Sequence, residues 1–238
     1  MDMVSVAAAA RQAPLKQIVA AVYTGRGLDD QVAAAAREII PGVRVISLID
    51  DGLIADINAS GSISPSIVRR ALRCYESAAD AGAAVVLNTC SSIGELVALG
   101  RRAVAVPIVR IDEPMAEEAV ARFRRTAVVA TLPSTLGPTS RLLSEKASSA
   151  GRDVQVYPVL AEGAYEALVA GDGEGHDRLV EEAVGRAGWG AEAIVMAQAS
   201  MARMQARLER AAGVPVLSSL RPGLLRVRQV LENLKEAS

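Results

Sequence analysis

Cys90 closes the run Ala83-Ala84-Val85-Val86-Leu87-Asn88-Thr89-Cys90-Ser91-Ser92-Ile93-Gly94-Glu95. A thiol can act as nucleophile or as acid–base group when its thiolate is accessible near neutral pH. The apolar part of this run, rich in Val and Leu, reads as a central parallel strand. Ser91 and Ser92 then read as a helix N-cap, with Glu95 three residues beyond Ser92 as in a capping box. The thiol therefore falls where a strand ends and a helix begins. Open α/β sheets bind ligands at such strand ends, and a helix N-terminus favours a thiolate and collects anions. A free cysteine is often simply buried. Here Asn88, Thr89, Ser91 and Ser92 flank the sulfur, and an inert packing thiol does not need them.

Other residue groups read as substrate holders. Thr131, Ser134 and Thr135 follow an apolar run and precede Pro138, where a helix is expected. Hydroxyls and backbone N–H groups at such a turn can bind a carboxylate or phosphate, or can merely cap the helix. Thr24 lies in Tyr23-Thr24-Gly25-Arg26-Gly27, whose glycines permit close backbone approach. That spacing is neither a dinucleotide-binding loop nor a P-loop. Asn88 and Thr89 can hydrogen-bond a carboxylate or an enolate oxygen, and Ser200 can do so from the second half of the chain. Asp50, Asp51 and Asp56 lack the spacing of a calcium loop and are expected in a solvated or lid-like connection reaching Ser64-Pro65. Asp112-Glu113-Pro114 opens a helix, where acids favour the helix dipole. His176, the single histidine, lies in a Gly-rich stretch and is expected to be solvated. Solvation is also expected for Arg26, Arg69 and Arg110. No metal site is expected.

Between these groups the chain alternates strands with helices. Strands are expected at 17–23, 43–49, 83–88, 103–106, 126–131, 154–157, 193–197 and 214–217. Helices are expected at 28–39, 66–80, 93–99, 114–124, 138–150, 165–170, 177–187, 201–212 and 222–236. Short Val/Ile-rich runs between longer helical stretches indicate βαβ units and parallel sheet, an α/β fold. An internal echo points to two lobes. Gly82-Ala83-Ala84-Val85-Val86-Leu87 leads through polar residues and a helix to Ala105-Val106-Pro107-Ile108. Gly190-Ala191-Glu192-Ala193-Ile194-Val195-Met196 leads in the same way to Val214-Pro215-Val216-Leu217. The expected division is a tail at 1–14, a first lobe from 15–112 and 221–238, and a second lobe from 113–220.

The 238 residues are 51% hydrophobic and 22% charged, a globular rather than disordered composition. A net charge of −1 argues against general affinity for nucleic acid or an anionic membrane. Cys74 and Cys90 match neither a zinc-ligand spacing nor a disulfide framework, and Cys74 falls in a helical run where packing is expected. No run of 18 uncharged apolar residues suggests a membrane span. Arg11 follows the early Ala run, the reverse of a signal peptide, so a cytoplasmic location is expected.

These residues resemble the aspartate/glutamate/hydantoin racemase superfamily, which also includes maleate isomerases and arylmalonate decarboxylases. The resemblance spans about Lys16 to Leu220. It is carried by Val86-Leu87-Asn88-Thr89-Cys90-Ser91-Ser92, by Thr131-Leu132-Pro133-Ser134-Thr135, and by Ile194-Val195-Met196-Ala197-Gln198-Ala199-Ser200-Met201. It implies two pseudo-symmetric flavodoxin-like lobes around a cleft, with no metal or organic cofactor. It also implies one cysteine from each lobe, the pair moving a proton on and off opposite faces of a carbon beside a carboxylate. The chain departs from that pattern at the second thiol, where Gln198 stands, or Ala199 if the register shifts by one. Neither shuttles a proton near neutral pH, so efficient two-way racemisation of aspartate, glutamate or a hydantoin is not expected. Cys-Ser-Ser resembles the Cys-Thr-Ser of the maleate isomerases. The expected function is cofactor-independent isomerisation of a small carboxylate through Cys90. The alternatives are decarboxylation or other cleavage by the same thiol, or binding of a small acid without turnover. A homo-oligomer is compatible with the Ala- and Leu-rich helices.

Overall fold

The computed structural model describes residues 17–187 and 190–237; the expected tail at 1–14 lies outside them. In chain order the first half contains β1 (Ile18–Tyr23), α1 (Asp29–Ile39), β2 (Arg44–Ile49), α2 (Gly52–Ser60), α3 (Pro65–Asp80) and β3 (Val85–Asn88). It continues through a 3-10 turn (Ser91–Leu96) into α4 (Val97–Ala103) and β4 (Ile108–Arg110). The second half contains α5 (Glu113–Arg122), β5 (Arg125–Ala130), α6 (Pro133–Ser149), β6 (Gln155–Leu160), α7 (Ala164–Val169), α8 (Gly173–Ala187) and β7 (Ala193–Met196). A second 3-10 turn (Ala199–Met204) leads into α9 (Gln205–Ala212), β8 (Val216–Leu217) and α10 (Leu220–Glu236).

The strands form two four-stranded sheets, ordered β2-β1-β3-β4 and β6-β5-β7-β8, with every pairing parallel. Numbered within its own half, each sheet has the same order, so the two halves repeat one topology. The period-two geometry of a strand explains how so apolar a sequence folds this way. Val19, Ala21, Tyr23, Val85 and Leu87 face one layer, containing Val32 and Ala36 of α1 and Leu224, Val227 and Leu231 of α10. Ala20, Val22 and Val86 face the other layer with Tyr75 and Ala78 of α3. In the second sheet Ala127, Val129, Ile194 and Met196 face α8 and α9, while Val128, Ala130 and Val195 face α5 and α6.

Three elements differ from expectation. The connection after β2 is not a solvated loop: Leu53 and Ile57 give α2 an apolar stripe packed on Ile67, Ala71, Ile93 and Leu96. Its aspartates neutralise arginines instead: Asp50 and Asp56 bind Arg70, and Asp51 binds Arg26. The fourth strand begins at Ile108, not at residue 103, because α4 runs on to Ala103 and Ile108 is the first residue in register with β3. Finally, α6 starts at Pro133 rather than at Pro138. Pro138 sits in its second turn, where it removes only the bond to Ser134 O.

Arg110 ends β4 and is buried with Asp112, Nε to Oδ1 at 2.7 Å and Nη2 to Oδ2 at 3.1 Å. This corrects the expected solvation of Arg110. The guanidinium lies under the first 3-10 turn so closely that a Cβ on Gly94 would meet its Cζ at 2.5 Å. On α5, Glu113 bonds Arg101 of α4 and Lys146 of α6, while Glu117 bonds Lys146 and Arg226 of α10. Burial alone would raise both carboxyls, but these bonds outweigh it and hold both below the ordinary glutamate range.

Two outcomes follow from this packing. Gly94→Ala must push the Arg110 guanidinium off a partner that cannot be rehydrated, at a cost of about 1–3 kcal/mol. A thermal melt should show Tm lower by roughly 3–10 °C, and an unchanged Tm would mean that the turn yields instead. The depressed Glu113 and Glu117 contribute stability that is complete above the unfolded glutamate pKa, about 4.3, and is lost as pH falls through their lower folded values. Lys146→Met should therefore lower stability at neutral pH by about 1 kcal/mol and flatten the acid decline of Tm below about pH 4.3. Parallel acid profiles for the two proteins would contradict it.

Candidate active site

The carboxyl ends of β3 and β7 are built alike. Each strand runs through two residues, the second extended, into a 3-10 turn of six residues that continues as an α-helix. Cys90 immediately precedes the first turn with φ −113° and ψ 118°. Gln198 immediately precedes the second with φ −116° and ψ 128°. The backbone thus selects Gln198, not Ala199, as the counterpart of Cys90.

The two ends meet. Ser91 Oγ donates to Ala197 O at 3.0 Å, and Ser92 Oγ and Thr135 Oγ1 share a hydrogen bond of 3.1 Å. The expected capping box is therefore not made: the serines reach across to the other half of the chain, and Glu95 pairs with Arg141. A cavity of about 450 Å³ lies between the ends. Thr24, Thr89, Cys90, Ser91 and Ser92 border it from the first half of the chain, and Thr135, Gln198, Ala199 and Ser200 from the second. Leu28, Ile54, Leu132 and Leu168 add apolar wall.

Three expected holders stand back from that wall. Asn88 is fully buried: it accepts from Tyr75 Oη at 3.0 Å and donates Nδ2 to Cys90 O at 3.0 Å, so it fixes the backbone of the thiol residue. Thr131 is buried behind Gln198, and its N–H donates to Gln198 Oε1 at 2.8 Å. Ser134 opens on a neighbouring groove and donates to Asn58 Oδ1 at 2.6 Å.

Counting protons shows which groups can hold an anion. The Thr89 hydroxyl is spent on Val22 O at 2.8 Å and that of Ser91 on Ala197 O. Both can then only accept. Thr24 and Ser200 make no side-chain hydrogen bond among the described residues, so each can donate, one from either half of the chain. Of Ser92 and Thr135 one donates to the other, which leaves one further proton. Gln198 offers Nε2, also held by Thr131.

The ionisable groups are arranged differently from expectation. His176 is not solvated. The helix that carries it starts at Gly173, so His176, Val180 and Val184 recur every four residues on its buried face. That periodicity is visible in the sequence once the glycines are allowed into the first turn. His176 borders the cavity together with Tyr165 of α7 and Arg203, and its Nδ1 lies 2.8 Å from Asp177 Oδ1. Asp177 also accepts from Arg203 Nη1 at 2.6 Å. Burial would raise the Asp177 carboxyl, but the bonds from Arg203 and His176 bring it below the ordinary range. Asp112 is sealed in its pair with Arg110 and does not border the cavity. Arg26 stands exposed at the cavity mouth, paired with Asp51, and Arg69 is exposed elsewhere. Cys74 is half-buried against the first sheet, and burial pushes its thiol up.

Among the described residues no three His, Cys, Asp or Glu side chains stand together as a metal site, and no helix is long and apolar enough to cross a membrane.

Comparison with known proteins identifies relatives of this arrangement. A glutamate racemase from Francisella tularensis subsp. tularensis SCHU S4, solved in complex with D-glutamate, superposes with a TM-score of 0.74 at 15% identity, over 92% of this chain and 82% of its own. An allantoin racemase from Klebsiella pneumoniae superposes at 0.65 and 21% identity, over 91% and 88%. A mutant of arylmalonate decarboxylase in a sulfate ion associated form gives 0.58 at 19% identity, over 90% and 92%. These likenesses are likenesses of fold. No curated protein sequence gives a significant match. A model of the family described as Asp/Glu/hydantoin racemase matches residues 28–224, which takes in both turns and every strand except β1. The chain belongs to the Asp/Glu/hydantoin racemase family.

Proposed function

We propose that the protein is a cofactor-independent isomerase of the racemase type, acting on a small carboxylate through the thiol of Cys90. Family membership supports an isomerase, and the family's own description names aspartate, glutamate and hydantoins. The observation that carries the reading to Cys90 is its position: a half-buried thiol that borders the cavity at the end of β3, with its backbone pinned by Asn88. As thiolate it takes the proton from the carbon beside the carboxylate. The bonding pair moves into the carboxylate, and donors already aimed at that oxygen stabilise the added charge. Thr24 and Ser200 are the free hydroxyls for this task, while Gln198 Nε2 holds the carboxylate equally in substrate and transition state. Gln198 binds but does not exchange protons, because a side-chain amide has no accessible protonation step near neutral pH. Thr131 acts behind it by holding the amide in one orientation.

Cys90→Ser should fold with a stability change of about 1 kcal/mol, yet lose about 10²–10⁴-fold in α-proton exchange of the enantiomer whose hydrogen faces the thiol. The assay is 1H NMR in deuterium oxide with both enantiomers of aspartate, glutamate and 5-methylhydantoin. Exchange at the original rate would remove the thiol from the chemistry. Gln198→Ala removes one neutral hydrogen bond, about 1 kcal/mol. It should raise KM roughly fivefold and change kcat by less. A large kcat loss at constant KM would instead assign Gln198 to the transition state.

A further inference from the structure

A thiol on one face leaves the other face of the substrate carbon without a proton donor, and Gln198 cannot supply one. Within the same cavity the second half of the chain presents one imidazole, that of His176. The residue is only 4% exposed, which is unlike a solvated surface histidine, where the sequence placed it. Nδ1 is engaged by Asp177, so the neutral ring carries its proton there and its lone pair on Nε2. Nε2 makes no hydrogen bond among the described residues, and it is not one of the interior polar atoms sealed away without a partner. His176 is one of the residues that line the cavity. Arg203 clamps Asp177 from the turn that follows β7, so the carboxylate that orients the ring is itself fixed. A buried histidine with one nitrogen oriented by a carboxylate and the other opening on a cavity has the geometry of a general acid–base.

We propose that His176 is the second catalytic acid–base, exchanging a proton through Nε2 on the substrate face opposite Cys90. The proposal rests on the isomerase reading above. In one direction the Cys90 thiolate forms an S–H bond as the Cα–H bond breaks, and the bonding pair enters the carboxylate. That pair then returns to form a new Cα–H bond on the other face, with the proton of the His176 imidazolium, which becomes neutral imidazole. Solvent resets both groups, the thiol losing a proton and the imidazole gaining one. The reverse direction starts from neutral imidazole and thiol. The charged and titratable groups facing His176 are Asp177 on its own helix, Arg203 from the turn after β7 and Tyr165 from α7, with Cys90 and Arg26 across the cavity. Asp172, in the turn before His176, is occupied by Gly175 N at 2.8 Å.

Two measurements test this. In deuterium oxide, with the enantiomers of aspartate, glutamate and 5-methylhydantoin as probes, His176→Asn should lose racemisation by roughly 10²-fold or more. It should keep label uptake, without inversion, in the one enantiomer whose hydrogen faces Cys90. Cys90→Ser should show the opposite enantiomer preference. Racemisation at the original rate in His176→Asn would overturn the proposal. The second measurement needs no substrate. His176 is the single histidine of the chain, so its 13Cε1 resonance in labelled protein is unambiguous. With Cys90→Asp the cavity gains a carboxylate, and with Cys90→Asn a neutral group of the same shape. The titration midpoint of His176 should lie about half a pH unit higher in the first variant. Equal midpoints would remove His176 from the site. If the unmodified protein exchanges no probe, the isomerase reading fails for those substrates. The titration then decides His176 alone: separated midpoints keep it as an acid–base group of the cavity, and equal ones exclude it.

Discussion

One hydrogen bond determines what the two halves of this protein can do together. Ser91 donates to the carbonyl of Ala197, and the next residue, Ser92, bonds Thr135. Both bonds are buried, so neither is in competition with water, and a broken one would strand a polar group at real cost. The first joins the carboxyl ends of β3 and β7, and the second ties the turn after β3 to the start of α6. A parallel sheet by itself directs its strand ends toward open solvent. Two such sheets joined end to end enclose a cavity instead, and everything at those ends becomes part of one site. Residues that would normally cap a helix are used here to join lobes, which is why the local capping pattern failed as a predictor.

The two halves repeat in backbone and differ in side chains. Cys90 and Gln198 hold the same position before the same kind of turn with nearly the same dihedral angles. Thr24 and Thr131 hold the same position after β1 and β5. In the first half the threonine is free and its neighbour is a thiol. In the second the threonine is occupied by the glutamine amide. Symmetry of the scaffold therefore does not carry symmetry of chemistry. The second half contributes hydrogen-bond donors at the mirrored position, and its ionisable group stands on α8, the counterpart of α3.

Much of the fold was legible because burial on both faces of a parallel sheet demands continuous apolar runs. Val85–Leu87 and Ala193–Met196 show this directly, and the Gly82 and Gly190 echo placed them in two lobes. The site was legible where it depends on strand ends, as for Cys90, Thr24, Ser200 and Gln198. It was not legible where a short apolar stripe is embedded in polar sequence. Leu53 and Ile57 sit among three aspartates, and the aspartates dominate a reading by composition, although arginines elsewhere in the chain neutralise them. His176 was missed for a related reason. Gly173 and Gly175 suggest a loose turn by propensity, whereas the buried positions of Val180 and Val184 extend the helix back through them. Arg110 was missed because no local pattern announces a buried ion pair.

That ion pair bears on the chemistry as well as on stability. Arg110 and Asp112 lie in the same stretch of chain, and their bonds close a loop at the end of β4 directly beneath the turn that follows Cys90. A pair of this kind adds little net stability against a well-packed apolar alternative, because both ions are stripped of water. What it provides is one allowed position for the guanidinium. That position leaves room under the turn for Gly94 and for no larger residue, so the turn has a single seat. Asn88 then ties the Cys90 carbonyl to the same strand. The thiol is thus located by contacts on the side away from the cavity. The cavity wall itself can remain a set of small polar groups with their donors free.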